Sequence, residues 1–134
     1  MAVANATSDE TRRLSVVAQT HQQAVQTSTR EAARLVLEIL GGALAAYVLG
    51  VKDRKTVQRW ASGTVHGLRP ESEARLRGIH EIITLLARFE GPETIRAWFL
   101  GMAPELDDVA PARAIHDGRL PEAMNAARAF IAHG

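Results

Sequence analysis

The fold is decided by residues 50–63, GVKDRKTVQRWASG, which follow the short apolar run ALAAYVL at 43–49. Gly50 tolerates the positive φ that a sharp chain reversal requires. Asp53 is a good N-cap for a helix that begins directly after it. The stretch therefore predicts two helices joined by a tight turn, which is the signature of a helix-turn-helix.

The second of these helices has two different faces. At 100° per residue, Val57, Trp60 and Ala61 share one face and are expected to pack inward. The opposite face is polar and basic, and such a face is typical of helices that contact phosphates and base edges in DNA. The candidate DNA-binding residues of the segment are Lys52, Arg54, Lys55, Thr56, Gln58 and Arg59.

Charge is distributed unevenly along the chain, although the formal net charge is only +1. Residues 51–68 carry four basic residues against one acidic residue, whereas residues 90–108 carry five acidic residues against one arginine. A local basic face can bind a polyanion even when the whole chain is not basic. The charge pattern therefore agrees with DNA binding by the first of these segments.

Length and composition limit the classes of protein that the chain can belong to. With 134 residues and 46% hydrophobic residues, it can form one domain, or two small helical subdomains that share a core. The absence of cysteine excludes disulfides, thiolate metal sites and cysteine nucleophiles. Neither a signal peptide nor a membrane-spanning run is recognisable, so we expect a cytoplasmic protein that does not contact a membrane.

Motifs of enzymes are missing from the sequence. His80 and Glu81 begin a zinc-protease pattern, His-Glu-x-x-His, but Thr84 stands where the second histidine ligand would be. The other histidines have no metal-ligand spacing, and there is no glycine-rich phosphate loop or nucleophile elbow. We therefore predict no catalytic residues, no metal site and no cofactor, and a protein that acts by binding.

Helical periodicity dominates the chain, so the sequence predicts an all-α fold. Residues 1–28 form an N-terminal arm that is either helical or disordered, since residues 9–27 have only a weak apolar stripe. Residues 29–67 form the helix-turn-helix region, and residues 68–134 form a second small helical region.

Capping signals indicate where the predicted helices begin. Ser28 and Glu31 form a capping box that predicts a helix through Leu40. Proline is favoured in the first turn of a helix. Four later helices are expected to begin at Pro70, Pro92, Pro111 and Pro121.

The helix that begins at Pro92 is expected to end at Pro104, and it carries the apolar residues Ile95, Trp98, Phe99 and Met102. These side chains fit a core, which we favour, but they also fit an interface. Both interpretations hold if Trp98 is buried and Phe99 or Leu100 lies at the rim. The short pieces after Met102 are expected to add little core and to form a shaped surface.

The layout resembles the Xre/MbcA/ParS-type antitoxins of type II toxin-antitoxin systems. The resemblance covers roughly residues 43–133. In the first half it depends on residues 49–51 and 56–60, LGV and TVQRW. In the second half it depends on residues 95–100 and on the spacing of Pro104, Leu106, Pro111 and Gly118.

The resemblance implies a function for both regions. It implies an autorepressor that binds operator DNA, and an antitoxin that neutralises a RES-domain toxin, which consumes NAD. In the family the C-terminal helices cover the active-site cleft of the toxin, so residues 68–134 would be the toxin-binding region. The implied toxin contacts are Trp98, Phe99, Leu100, Asp117, Gly118, Arg119, His133 and Gly134.

Partners and alternative functions follow from the same features. Helix-turn-helix proteins commonly read pseudo-palindromes as dimers, so a homodimer is expected through residues 9–40 or the C-terminal helices. One alternative is a transcriptional regulator whose C-terminal region senses a small ligand or mediates dimerisation. Another is a structural adaptor of a phage or mobile element.

Overall fold

A computed structural model describes residues 5–26, 28–65 and 67–133, and within the first helix it describes the side chains of residues 9–20. Over these ranges all regular structure is helical, apart from an isolated β-bridge between Ala103 and Val109. The elements are α1 (Asn5–Gln26), α2 (Thr29–Leu40), α3 (Gly42–Leu49), α4 (Arg54–Ser62), α5 (Pro70–Ala87), α6 (Pro92–Leu100), a 3-10 turn (Pro104–Leu106), α7 (Pro111–His116) and α8 (Leu120–His133). The expectation of an all-α fold is confirmed for this part of the chain.

The helix boundaries follow the capping signals closely. The Ser28 hydroxyl accepts a hydrogen bond from the Glu31 N–H at 3.1 Å and begins α2. Proline lies in the first turn of α5, α6 and α7. One boundary is wrong: α6 ends at Leu100 rather than at Pro104. Gly101 adopts an extended conformation (φ −86°, ψ 168°), so Met102 lies beyond the helix.

One hydrophobic core joins the two regions predicted from the sequence. Val57 and Trp60 of α4 belong to the same cluster of buried residues as Ile83 of α5, Ile95 of α6 and Ile131 of α8. The central helices of this arrangement are α2 and α5, because α2 packs on both α4 and α5 while α8 packs on α5. The candidate DNA-contacting helix is therefore held by the same core as the C-terminal helices.

The short C-terminal pieces contribute core residues, contrary to the expectation that they form only a surface. Leu106, Ile115 and Ile131 are almost completely buried. A second small cluster of buried residues includes Leu106 of the 3-10 turn together with Ala103, Ala114 and Ala126. Burial of apolar surface stabilises a fold in proportion to the area removed from water, so α7 and α8 are structural parts of the domain.

Helix α1 packs against α5 and α8. The Arg13 guanidinium donates a hydrogen bond to the Ile131 carbonyl, and its Cζ lies 5.2 Å from the centroid of the Phe89 ring. For residues 5–26 the helical form of the predicted arm is therefore the one observed, while residues 1–4 and 27 lie outside the described residues. No helix in the described part of the chain is long and apolar enough to span a membrane.

Candidate functional site

The turn between α3 and α4 is built as the sequence predicts. Gly50 has a left-handed conformation, with φ 68° and ψ 29°. The N–H of Gly50 donates to the Tyr47 carbonyl, and the N–H of Val51 donates to the Ala46 carbonyl at 3.1 Å, so both close the end of α3. Asp53 begins α4, because its Oδ1 accepts a hydrogen bond from the Thr56 N–H at 3.2 Å.

Two long arginine side chains pass close to this turn. The Nη1 of Arg75, on α5, lies 3.5 Å from the Val48 carbonyl oxygen. A Cβ at Gly50 would lie 2.6 Å from the same Arg75 Nη1. The Cβ of Arg54 passes so close to Gly42 that a Cβ there would lie 2.8 Å away. Glycine is therefore favoured at Gly42 by the close approach of the Arg54 Cβ, and at Gly50 by the left-handed backbone conformation.

Helix α4 has the two faces that its periodicity indicates. Val57, Trp60 and Ala61 are buried against α2 and α3. Most of the candidate DNA-binding residues are exposed, and Thr56 is half-buried with its hydroxyl 3.4 Å from Asp53 Oδ1. The exposed members are Lys52, Arg54, Lys55, Gln58 and Arg59. The structure thus exposes five polar or basic side chains along the turn and a helix whose other face is buried.

An open depression of about 550 Å³ lies beside this surface, between the turn and the start of α5. Lys52 and Thr56 line it together with Arg69, which our sequence reasoning missed. The only signal for Arg69 was a basic residue directly before Pro70. It extends the basic surface beyond the α3–α4 segment.

The candidate toxin contacts at the end of α6 differ in exposure. Phe99 is 0% exposed, so its prediction as a contact is wrong, because it faces the core one helical turn after the buried Ile95. Trp98 is half-buried. Leu100 is 62% exposed and Met102 is 79% exposed. Met102, which the sequence placed in the core stripe of α6, therefore belongs to the surface.

Met102 is part of the wall of an open groove of about 420 Å³, whereas Leu100, two residues earlier at the end of α6, is exposed but does not line the groove. The groove is lined mainly by apolar side chains, including Trp98, Pro104 and Phe130, with Glu105 at one side. Large exposed apolar side chains beside such a groove are typical of protein interaction surfaces. We name this surface, with Trp98, Leu100, Met102 and Phe130, the α6–α8 patch.

The remaining candidate toxin contacts fall into two places. Helix α8 ends at His133, three residues after Phe130, which lines the groove of the α6–α8 patch. The turn at residues 117–119 precedes the start of α8 and is separated from His133 by roughly 20 Å along the helix, at 1.5 Å per residue. The structure therefore does not bring Asp117, Gly118 and Arg119 together with Trp98. Gly134 lies outside the described residues.

The turn at 117–119 is instead close to α3. The ring of His116 stacks on the ring of Tyr47, with centroids 4.2 Å apart and an angle of 4° between the planes. The side chains of the turn are paired locally, with Arg119 Nε 3.0 Å from Glu122 Oε2 and Arg113 Nε 3.5 Å from Asp117 Oδ2. Sequence reasoning missed both Tyr47 and His116, because nothing local connects residues so far apart in the chain.

The described residues contain no group of three or more histidine, aspartate or glutamate side chains arranged to hold a metal ion. Comparison of the chain with models of known protein families, with characterised proteins and with solved structures gives no significant match.

Proposed function

We propose that the protein is an antitoxin and autorepressor, which binds operator DNA through the α3–α4 segment and a RES-domain toxin through its C-terminal region. The observation that carries the proposal is the exposed polar and basic face of α4 opposite a buried face that includes Trp60. A rigid helix with such a face meets the requirements for insertion into the major groove. The toxin is proposed from the family resemblance.

The rigidity of the α4 surface supports DNA binding. Base recognition requires side chains whose support does not move relative to the phosphate contacts. Here the Gly50 turn and the Asp53 cap set the start of α4 relative to α3, and the Arg75 side chain of α5 donates a hydrogen bond to the Val48 carbonyl at the end of α3. Lys55, Gln58 and Arg59 project from the opposite side.

DNA binding can be tested with Lys55→Ala combined with Arg59→Ala. We expect weaker binding to a duplex taken from upstream of the gene, and a salt slope flatter by about two, one unit for each lost phosphate contact. The matched control is Arg34→Ala with Arg88→Ala, which removes the same charge from exposed positions on α2 and at the end of α5. Equal losses in both double variants would contradict a specific role for α4.

The α6–α8 patch supports the binding of a protein partner. Leu100 and Met102 are exposed although they are large and apolar, and Trp98 and Phe130 lie at the adjacent groove. Residues near the centre of interfaces are often apolar or aromatic and anchor the partner. The charged turn at residues 117–119 is a second, separate contact in this proposal, so the toxin would have to reach both ends of α8.

The toxin contact can be tested by Leu100→Ser combined with Met102→Ser. We expect this variant to keep its fold and DNA binding, but to lose co-purification with a co-expressed RES-domain toxin and rescue of growth. Ala87→Ser is the control, because Ala87 is an exposed apolar residue of α5 that does not line this groove. Full rescue by the Leu100/Met102 variant would remove the α6–α8 patch from the proposal.

A helix-turn-helix regulator that dimerises without a toxin is the second candidate. An open, mainly apolar groove of about 250 Å³ between α1 and α8 favours it, and Leu14, Val17 and Ile131 are among its lining residues. Leu14→Glu should then convert a dimer to a monomer in analytical ultracentrifugation and weaken operator binding. A variant that keeps the wild-type mass would exclude this groove as the dimer contact.

A further inference from the structure

An open cleft of about 480 Å³ lies between α3, the α3–α4 turn and the end of α7. Its polar side chains are those of Tyr47, Lys52, Asp53, Arg54 and His116, and Ala43 and Ala46 of α3 and Val51 of the turn line the rest. Four of these residues belong to the α3–α4 segment, and His116 belongs to the C-terminal region. The cleft is therefore the place where the C-terminal region borders the candidate DNA surface.

His116 is held in one orientation at this cleft. Its ring stacks on Tyr47, and its Nδ1 lies 2.8 Å from the Tyr47 carbonyl oxygen. A carbonyl oxygen only accepts hydrogen bonds, so Nδ1 carries the proton and donates it. The stack and the hydrogen bond join α7 to α3, although both rings remain partly exposed to solvent.

This orientation determines what the second ring nitrogen can do. In the neutral imidazole with a proton on Nδ1, Nε2 is an acceptor and repels an anion's oxygen lone pairs. In the imidazolium, Nε2 also carries a proton and donates to an anion with a full positive charge. Contact of Nε2 with an anion therefore requires uptake of a proton.

The charges around the cleft favour an anion. Lys52 and Arg54 are exposed, and no ion pair to another described residue is found for either of them. The acidic neighbour Asp53 is engaged as the cap of α4 through the Thr56 N–H and hydroxyl. At the end of α7, Arg113 forms an ion pair with Asp117, so these two side chains together add little net charge near His116.

We propose that this cleft binds a backbone phosphate of duplex DNA, with His116 as a protonated donor beside Lys52 and Arg54. The inference rests on the proposed DNA binding by the α3–α4 segment, and it adds a contact made by the C-terminal region. A phosphate contact carries no sequence information. Its effects on affinity, on salt dependence and on pH dependence are therefore the same for every duplex.

The test uses the full-length protein and a random-sequence duplex, with binding measured by fluorescence anisotropy over a range of salt at about pH 6 and about pH 8. Wild-type affinity should rise towards low pH, by at most about tenfold per pH unit for one proton taken up. His116→Phe keeps a ring on Tyr47 but cannot donate. It should lose this pH-dependent gain and about one unit of salt slope at pH 6.

His116→Arg is the second variant, because it supplies a permanent cation. It should retain at pH 8 the affinity that the wild type reaches at pH 6, and the pH-dependent gain should be absent. Arg12→Ala, which removes an exposed cation from α1, should leave the pH dependence unchanged. If His116→Phe does not fold, wild-type pH dependence in His116→Arg overturns the inference on its own.

The failure of this inference differs from the failure of the proposed function. In one outcome, His116→Phe keeps the wild-type salt slope and pH dependence of DNA affinity while the Lys55/Arg59 variant binds more weakly. This result would contradict phosphate binding at the cleft but would still support DNA contact by α4. A wild-type protein that binds neither the random duplex nor the upstream duplex would overturn both. If His116→Phe and Arg12→Ala lower the salt slope of DNA binding equally, this result also contradicts phosphate binding at the cleft.

Discussion

Trp60 connects the candidate DNA surface to the core, since it is only 7% exposed and lies next to the exposed Arg59 on α4. We expect Trp60→Ala to lower the free energy of unfolding by about 3–5 kcal/mol, the usual cost of removing a buried large aromatic side chain. Urea denaturation followed by circular dichroism measures this. Arg59→Ala is the neighbouring control and should change stability by less than about 0.5 kcal/mol. Equal midpoints for the two variants would mean that α4 is oriented differently.

His80 is a buried histidine of α5 whose Nδ1 has no hydrogen-bond partner among the described residues. Burial lowers its pKa below the ordinary value of 6.5, and the nearby Arg77 lowers the pKa further, while Glu31 and Glu81 oppose the shift. The unfolded chain therefore binds this proton more readily than the folded chain does.

The sign of the pH effect follows from that difference. Above about pH 6.5 His80 is neutral in both the folded and the unfolded state and does not contribute to the pH dependence of stability. Below that pH the free energy of unfolding falls by at most about 1.4 kcal/mol per pH unit, until the folded-state pKa is reached. His80→Leu should remove this part of the acid sensitivity. Parallel stability curves for wild type and His80→Leu below pH 6.5 would contradict the assignment.

Helix α5 contacts the start of α8 at Gly78, which faces the side chain of Leu120. A Cβ at this position would lie 2.4 Å from Leu120 Cδ2 and 3.0 Å from Leu120 Cγ. We expect Gly78→Ala to destabilise the protein by about 1–3 kcal/mol through overpacking, although alanine is the better helix former. The measurement is chemical denaturation, with Gly91→Ala as the control, because nothing lies within 4 Å of a Cβ at Gly91.

Removal of the obstructing side chain tests the mechanism. In the background of Leu120→Ala, the change Gly78→Ala should become neutral or stabilising, because only the gain in helix propensity is left. Additive losses in the double variant would show that Leu120 is not the obstacle.

At the scale of the whole molecule, the shared core predicts one cooperative transition. The two tryptophans report on different regions, since Trp60 lies on α4 and Trp98 lies on α6. In Trp98→Phe the fluorescence of Trp60 should follow the same denaturation curve as circular dichroism, and in Trp60→Phe the fluorescence of Trp98 should do likewise. A Trp60 transition that precedes the loss of helix would instead indicate that the α3–α4 segment unfolds independently.

Local chemistry made several elements predictable from the sequence. The Ser28 cap of α2, the Gly50 turn, the Asp53 cap and the two faces of α4 depend on residues within about one helical turn of each other. Their hydrogen bonds are made inside the segment that encodes them. Local sequence patterns are therefore sufficient to specify the all-α class and the two faces of α4 in the α3–α4 segment.

Tertiary structure decided which apolar side chains are buried and which distant residues meet. Phe99 faces the core while Leu100 and Met102 face solvent, because α6 is shorter than its pattern indicates and has one side against the other helices. The separation of the 117–119 turn from the α6–α8 patch and the contact of His116 with Tyr47 depend on how α7 and α8 pack. These contacts join residues distant along the chain, so no local periodicity encodes them.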